Sequence, residues 1–166
     1  EVTALDQDGN TVTGFTGTVN LSLTKRAGDG SYSATADASI SATGPSKSSG
    51  VYTWSDYTIT GKVGTYKIVA TYTDTTPDPD VVYTVSSTAI TVTNAALYEL
   101  AVTGQPDGNA VNRAAEGPIE VTALDQDGNT VTGFTGTVNL SLTKRAGDGS
   151  YSATADASIS ATGPSK

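Results

Sequence analysis

Short runs of alternating apolar and polar residues, broken by turn-forming residues, occupy almost the whole chain. Such runs predict half-buried strands, spaced as in a β-sandwich. From Val138 to Leu142, Val138, Leu140 and Leu142 point one way and Asn139 and Ser141 the other. Val19, Leu21 and Leu23 repeat the pattern earlier in the chain. Ile119, Val121 and Ala123 alternate with Glu120, Thr122 and Leu124 ahead of a turn at residues 125–129, whose Gly and Asn tolerate positive φ. Tyr66, Ile68, Ala70 and Tyr72 share one face of a strand that is expected to pair with residues 51–60. Residues 81–93 predict a closing strand with Ile90 and Val92 inward, and residues 97–103 predict an opening strand. No stretch shows the three-and-four spacing of an amphipathic helix. The pattern therefore predicts an all-β chain of antiparallel strands.

Residues 1–47 recur without a change as residues 120–166. The period is 119 residues, with Glu1 returning as Glu120 and Lys47 as Lys166. Old duplications drift apart, so this identity implies recent duplication, continuing recombination or engineering. Two domains are expected: residues 1–96, a repeat lacking its opening segment, and residues 97–166, the truncated start of the next identical repeat. Only Asn94, Ala95 and Ala96 lie between them. A linker that short restricts bending and favours a rod. An incomplete unit leaves a sheet edge open, and open edges recruit partners. Leu97, Leu100 and Val102 in the opening segment are thus candidates for strand donation.

Composition narrows the chemistry. Cys, His and Met are absent, which removes thiol nucleophiles, disulfides, imidazole bases and the usual zinc or copper ligands. No carboxylate pair is nominated by spacing, so no enzyme is expected. The formal charge of -8 disfavours a polyanion, and nucleic acid is not an expected partner. No apolar run is long enough to span a bilayer, so this segment is not expected to insert in a membrane.

Asp6, Asp8 and Asn10, repeated as Asp125, Asp127 and Asn129, resemble the start of a calcium loop, although its twelfth-position Glu is missing. A plain β-turn uses the same residue types. Asp74, Asp78 and Asp80 form a second acidic cluster. Calcium is the one cofactor these residues suggest; at a junction it would stiffen a rod and relieve acidic repulsion. Trp54, with Tyr52 and Tyr57, reads either as core packing or as a sugar-stacking platform.

Three segments resemble the bacterial immunoglobulin-like repeats of large surface and secreted proteins, akin to those of invasins and intimins. Residues 118–133 carry the alternating strand, the D-x-x-G-N turn and the V-T-G continuation. Residues 50–59 followed by 64–70 resemble the paired late strands, and 86–93 running into 100–106 resembles the domain junction. The long insertion at residues 25–32 and the extended hairpin at 77–80 depart from that pattern. The resemblance implies immunoglobulin-like antiparallel β-sandwich repeats in tandem, in an extracellular or cell-surface stalk or fibre. Expected partners are neighbouring repeats of the same protein, or further copies in a homopolymer. Two other roles fit the same residues: a filament or sheath subunit joined by strand donation, and an adhesin module that binds a glycan or protein.

Overall fold

Turn residues set where the strands end. The computed structural model describes residues 1–76, 79–105 and 117–153, and the chain divides into two compact units, Glu1–Thr132 and Gly133–Lys166. In the first unit the strands are β1 (Val2–Thr3), β2 (Asn20–Arg26), β3 (Tyr32–Ala34), β4 (Ala38–Ala42), β5 (Ser46–Ser48) and β6 (Val51–Thr53). They continue with β7 (Tyr57–Gly61), β8 (Gly64–Asp74), β9 (Val81–Ser86), β10 (Ile90–Val92), β11 (Glu99–Gly104) and β12 (Glu120–Leu124). No helix occurs among the described residues, every pairing is antiparallel, and the fold is all-β.

The 11-residue β8 organises the larger sheet. One edge pairs with β2, which carries β3 outside it, and the other edge pairs with β10 and then β9. Residues 81–93 therefore form two strands rather than one closing strand. At the break, the Ser87 amide donates to the Ile68 carbonyl at 2.8 Å, and its Oγ accepts the Ile68 amide at 3.0 Å. That exchange keeps the β8 edge satisfied across the gap.

The expected pairing of 51–60 with β8 does not form. That stretch breaks into β6, which pairs with β1 and β5, and β7, which pairs with β4. Both edges of β8 are already taken. The Lys62 amide also donates to the Asp37 carbonyl at 2.8 Å, holding the end of β7 against the chain leading into β4. Ser49 and Gly50, at φ of 49° and 78°, close the two-residue turn between β5 and β6, as a type I′ hairpin requires.

The core is aromatic and small. Tyr52 and Tyr66 are fully buried, and Leu23, Ala70 and Ala123 are buried as well. Phe15 connects β6 to β8: its ring lies 5.6 Å from that of Tyr52 and meets Tyr72 edge-on at 4.8 Å. The Tyr52 hydroxyl donates to the Gly17 carbonyl at 2.6 Å. A Cβ on Gly17 would sit 2.5 Å from both the Phe15 and Tyr72 rings, so only glycine permits this approach.

In the second unit β13 (Thr143–Arg145) pairs with β14 (Tyr151–Ala153). Lys144 faces Ser152 as Lys25 faces Ser33, so the hairpin repeats in the same register. Residues 139–142, the copy of 20–23, are not in a strand. Leu142 is 39% exposed where Leu23 is 6% exposed. Residues 20–23 are strand because they pair with β8.

Candidate functional site

A short carboxylate side chain followed by backbone amides readily forms an Asx-turn, in which the carboxylate accepts an N–H two residues on. Among the described residues, Asp6, Asp29, Asp74, Asp125 and Asp148 do this, accepting the amides of Asp8, Ser31, Thr76, Asp127 and Ser150 at 2.9–3.0 Å. At Asp6 and Asp125 the turn is tightened further. Asp6 Oδ1 accepts the Asn10 amide at 2.8 Å, and Asp125 Oδ1 accepts that of Asn129 at the same distance. The carboxamide of Asn10 donates to Asp6, and that of Asn129 to Asp125, in both cases to both carboxylate oxygens. The two copies of the turn thus have the same internal wiring.

Their surroundings differ. Asp6 and Asn10 are exposed, whereas Asp125 is 2% and Asn129 5% exposed. The second copy is seated on the loop between β7 and β8 and on the segment after β10. The Val63 amide donates to Asn129 Oδ1 at 3.0 Å, and Asn129 Nδ2 donates to the Gly61 carbonyl at 3.0 Å. The Ala95 amide donates to Asp125 Oδ2 at 2.9 Å. Lys62 Nζ donates to the carbonyls of Asp127 and Gly128 at 2.6 and 3.3 Å.

The receiving loop is itself braced. The Tyr66 hydroxyl donates to the Lys62 carbonyl at 2.6 Å. Gly61, at φ of 131°, lies so close to Asp37 that a Cβ would fall 2.3 Å from its carbonyl oxygen. Asn129 fills both ends of its carboxamide from the backbone of one loop. That is a specific fit, since an aspartate there could not donate and an alanine could do neither.

The charge of Asp125 is stabilised despite its burial. Desolvation pushes its pKa up, but hydrogen bonds from the Asn129 side chain and amide, the Ala95 amide and the Asp127 amide outweigh this and hold it at about 2, below the ordinary 3.8. The Asn10 amide lowers Asp6 in the same direction, as the Thr76 amide does for Asp74. Asp29 and Asp148 are lowered chiefly by the hydroxyls of Ser31 and Ser150.

The linkage follows from the sign of the shift. A depressed folded pKa gives stability that is complete above the unfolded value and lost as pH falls through the folded one. Seating of the turn is therefore expected to weaken between about pH 4 and pH 2. Urea unfolding followed through Trp54 fluorescence checks this: Asp125→Asn should flatten the acid limb, leaving the slope due to the remaining carboxylates.

Of the acidic residues read as calcium ligands, Asp6, Asp74 and Asp125 lead turns with N–H groups on their oxygens. Asp127 is exposed and contributes its carbonyl to Lys62, and Asp8 and Asp80 are exposed. Asp78 lies outside the described residues. Among the described residues no group of three or more Asp or Glu side chains is close enough to hold a metal ion.

The strand-donation candidates Leu97, Leu100 and Val102 are exposed. Leu100 and Val102 sit on β11, which pairs with β12, opposite Ala123 and Val121. The rings of Trp54 and Tyr52 lie 6.4 Å apart, with Trp54 half-buried. Tyr57, exposed on β7, stands outside that aromatic group.

The spatial division at 132/133 differs from the repeat boundary at 96/97 because the 125–129 turn is bonded to residues 61–63 and 95. Most of that contact carries no sequence signal: Gly61, Val63 and Ala95 act through backbone groups that any sequence has, and Lys62 alone among them adds a side chain. Compared with known proteins, the chain matches no family model, no curated protein and no solved structure.

Proposed function

We propose that the chain is a structural segment of an extracellular microbial stalk or fibre, built from immunoglobulin-like repeats that lock end to end. The observation that supports this most is the seating of the repeated turn: the start of one copy is buried against the loop and tail of the copy before it. A spacer needs stiffness at each junction. Here a linker of a few residues is supplemented by hydrogen bonds from two separate segments of the preceding copy. Recurrence of the same residues provides the same junction at each period, so length is gained without new design. The Thr-, Ser- and Gly-rich composition and the resemblance to bacterial surface repeats support the extracellular setting.

Small-angle X-ray scattering on chains of two, four and eight full periods tests the reading. The maximum dimension should rise in proportion to the number of periods. Growth as the square root of that number, the behaviour of freely jointed beads, would overturn it.

A further inference from the structure

Residues 1–10 and 120–129 are identical, and they occupy different environments within one compact unit. In the later copy both the strand and the turn are covered. β11 pairs along β12, the Tyr98 amide donates to the Leu124 carbonyl at 2.8 Å, and residues 61–63 and 95 hold the turn. In the earlier copy Leu5 is 58% exposed, and Asp6 and Asn10 are exposed.

The backbone shows that the covering strand and β6 do not compete for one edge. The Ala4 amide donates to the Gly50 carbonyl and its own carbonyl accepts the Val12 amide, both on the β6 side. The next residue along has its backbone groups on the opposite edge, and there the copy of Leu5, Leu124, accepts Tyr98. One strand can therefore hold β6 on one edge and a β11-type strand on the other.

The turn is also ready to dock. Asp6 closes on Asn10 with a 2.9 Å amide-to-carbonyl bond, and Asp125 closes on Asn129 with the same bond. Docking asks for no rearrangement, so little conformational freedom is lost beyond that of the partner.

We infer that residues 1–10 form a binding surface for a second copy of this repeat, which adds its 99–104 strand to the open edge of β1 and seats its 61–63 loop and Ala95 amide on the turn from Asp6 to Asn10. The resulting sheet has four strands, in the order added strand, β1, β6, β5. The occupant is specified by the chain itself: the same ten residues already bind that loop, that amide and that strand once. This rests on the stacking reading above in taking another repeat as the partner.

The test uses the whole chain extended ahead of Glu1 by one full additional period, residues 1–119, with that copy isotopically labelled in one sample and the original residues in another. Amide hydrogen exchange is then read at Val63 and Tyr98 of each copy. Both amides of the added copy should be as protected as those of the original. Asn10→Ala should speed exchange at the added Val63 about tenfold or more without changing the original Val63, and Asn129→Ala should do the reverse. Asn10 is exposed in the 166-residue chain, so Asn10→Ala leaves the unit folded, as Trp54 fluorescence will verify. Exchange of the added Val63 or Tyr98 at the rate of an open chain, with the original pair protected, overturns the inference and leaves stacking intact. Exchange of both pairs at that rate overturns the stacking reading as well.

Discussion

Tyr66→Ala is expected to lower the stability of the first unit by about 3–5 kcal/mol, the usual range for truncating a fully buried aromatic ring. Tyr66 is fully buried on β8 at the point where that strand faces Ile90 on one side and Lys25 on the other. Removing the ring leaves a cavity between three strands. It also removes the hydroxyl that holds the Lys62 carbonyl at 2.6 Å and fixes the loop receiving the 125–129 turn. Tyr66→Phe separates the two effects. It retains the packing and is expected to cost about 1 kcal/mol, the net worth of a hydrogen bond. Urea denaturation measures both, and a shift in midpoint at constant slope identifies a change in stability rather than in the extent of unfolding. Equal losses for the two variants would place the stabilisation in the hydroxyl rather than in the ring.

Asn129→Ala and Asn10→Ala delete the same side chain from the same ten-residue sequence, and their effects should differ severalfold. Asn129 is buried, its carboxamide joins Asp125 to the backbone of Gly61 and Val63, and its loss leaves the Val63 amide and the Gly61 carbonyl without that partner at a part-buried contact. The expected cost is about 2 kcal/mol, since an unsatisfied buried group bears its full desolvation penalty. Asn10 donates only to Asp6 beside it, in water, so Asn10→Ala should cost about 0.5 kcal/mol. The two variants share an unfolded-state effect, so their difference isolates the junction. Equal costs would mean that the seated turn contributes nothing beyond its own geometry.

Both experiments follow from a division visible at particular residues. The turns were legible in the sequence because their bonds are local: an Asp, its amide two residues on and a nearby Gly or Asn lie within one short segment. The β13–β14 hairpin, where the sequence read only an insertion after a strand at 138–142, is also held by local pairing. It repeats the β2–β3 register although its surroundings differ. Alternation on β8 put Tyr66 and Ala70 on one face, and both are buried, since a strand sends successive side chains to opposite faces. Which strands pair was not legible. The segment 51–60 was expected beside β8, but both β8 edges go to strands distant in sequence, and alternation carries no information about the partner.

What the sequence by itself determined is therefore the all-β class, the 119-residue period, the chemistry excluded by the absence of His and Cys, and the place of the turn from Asp6 to Asn10 and of its copy at 125–129. Only the tertiary structure decided which copy of a turn is buried, because Asp6 and Asp125 have the same neighbours along the chain and different ones in space. It also decided that residues 20–23 are strand while their copies at 139–142 are not. A backbone becomes a strand when a partner strand satisfies its hydrogen bonds, and β8 stands beside the first of these segments alone.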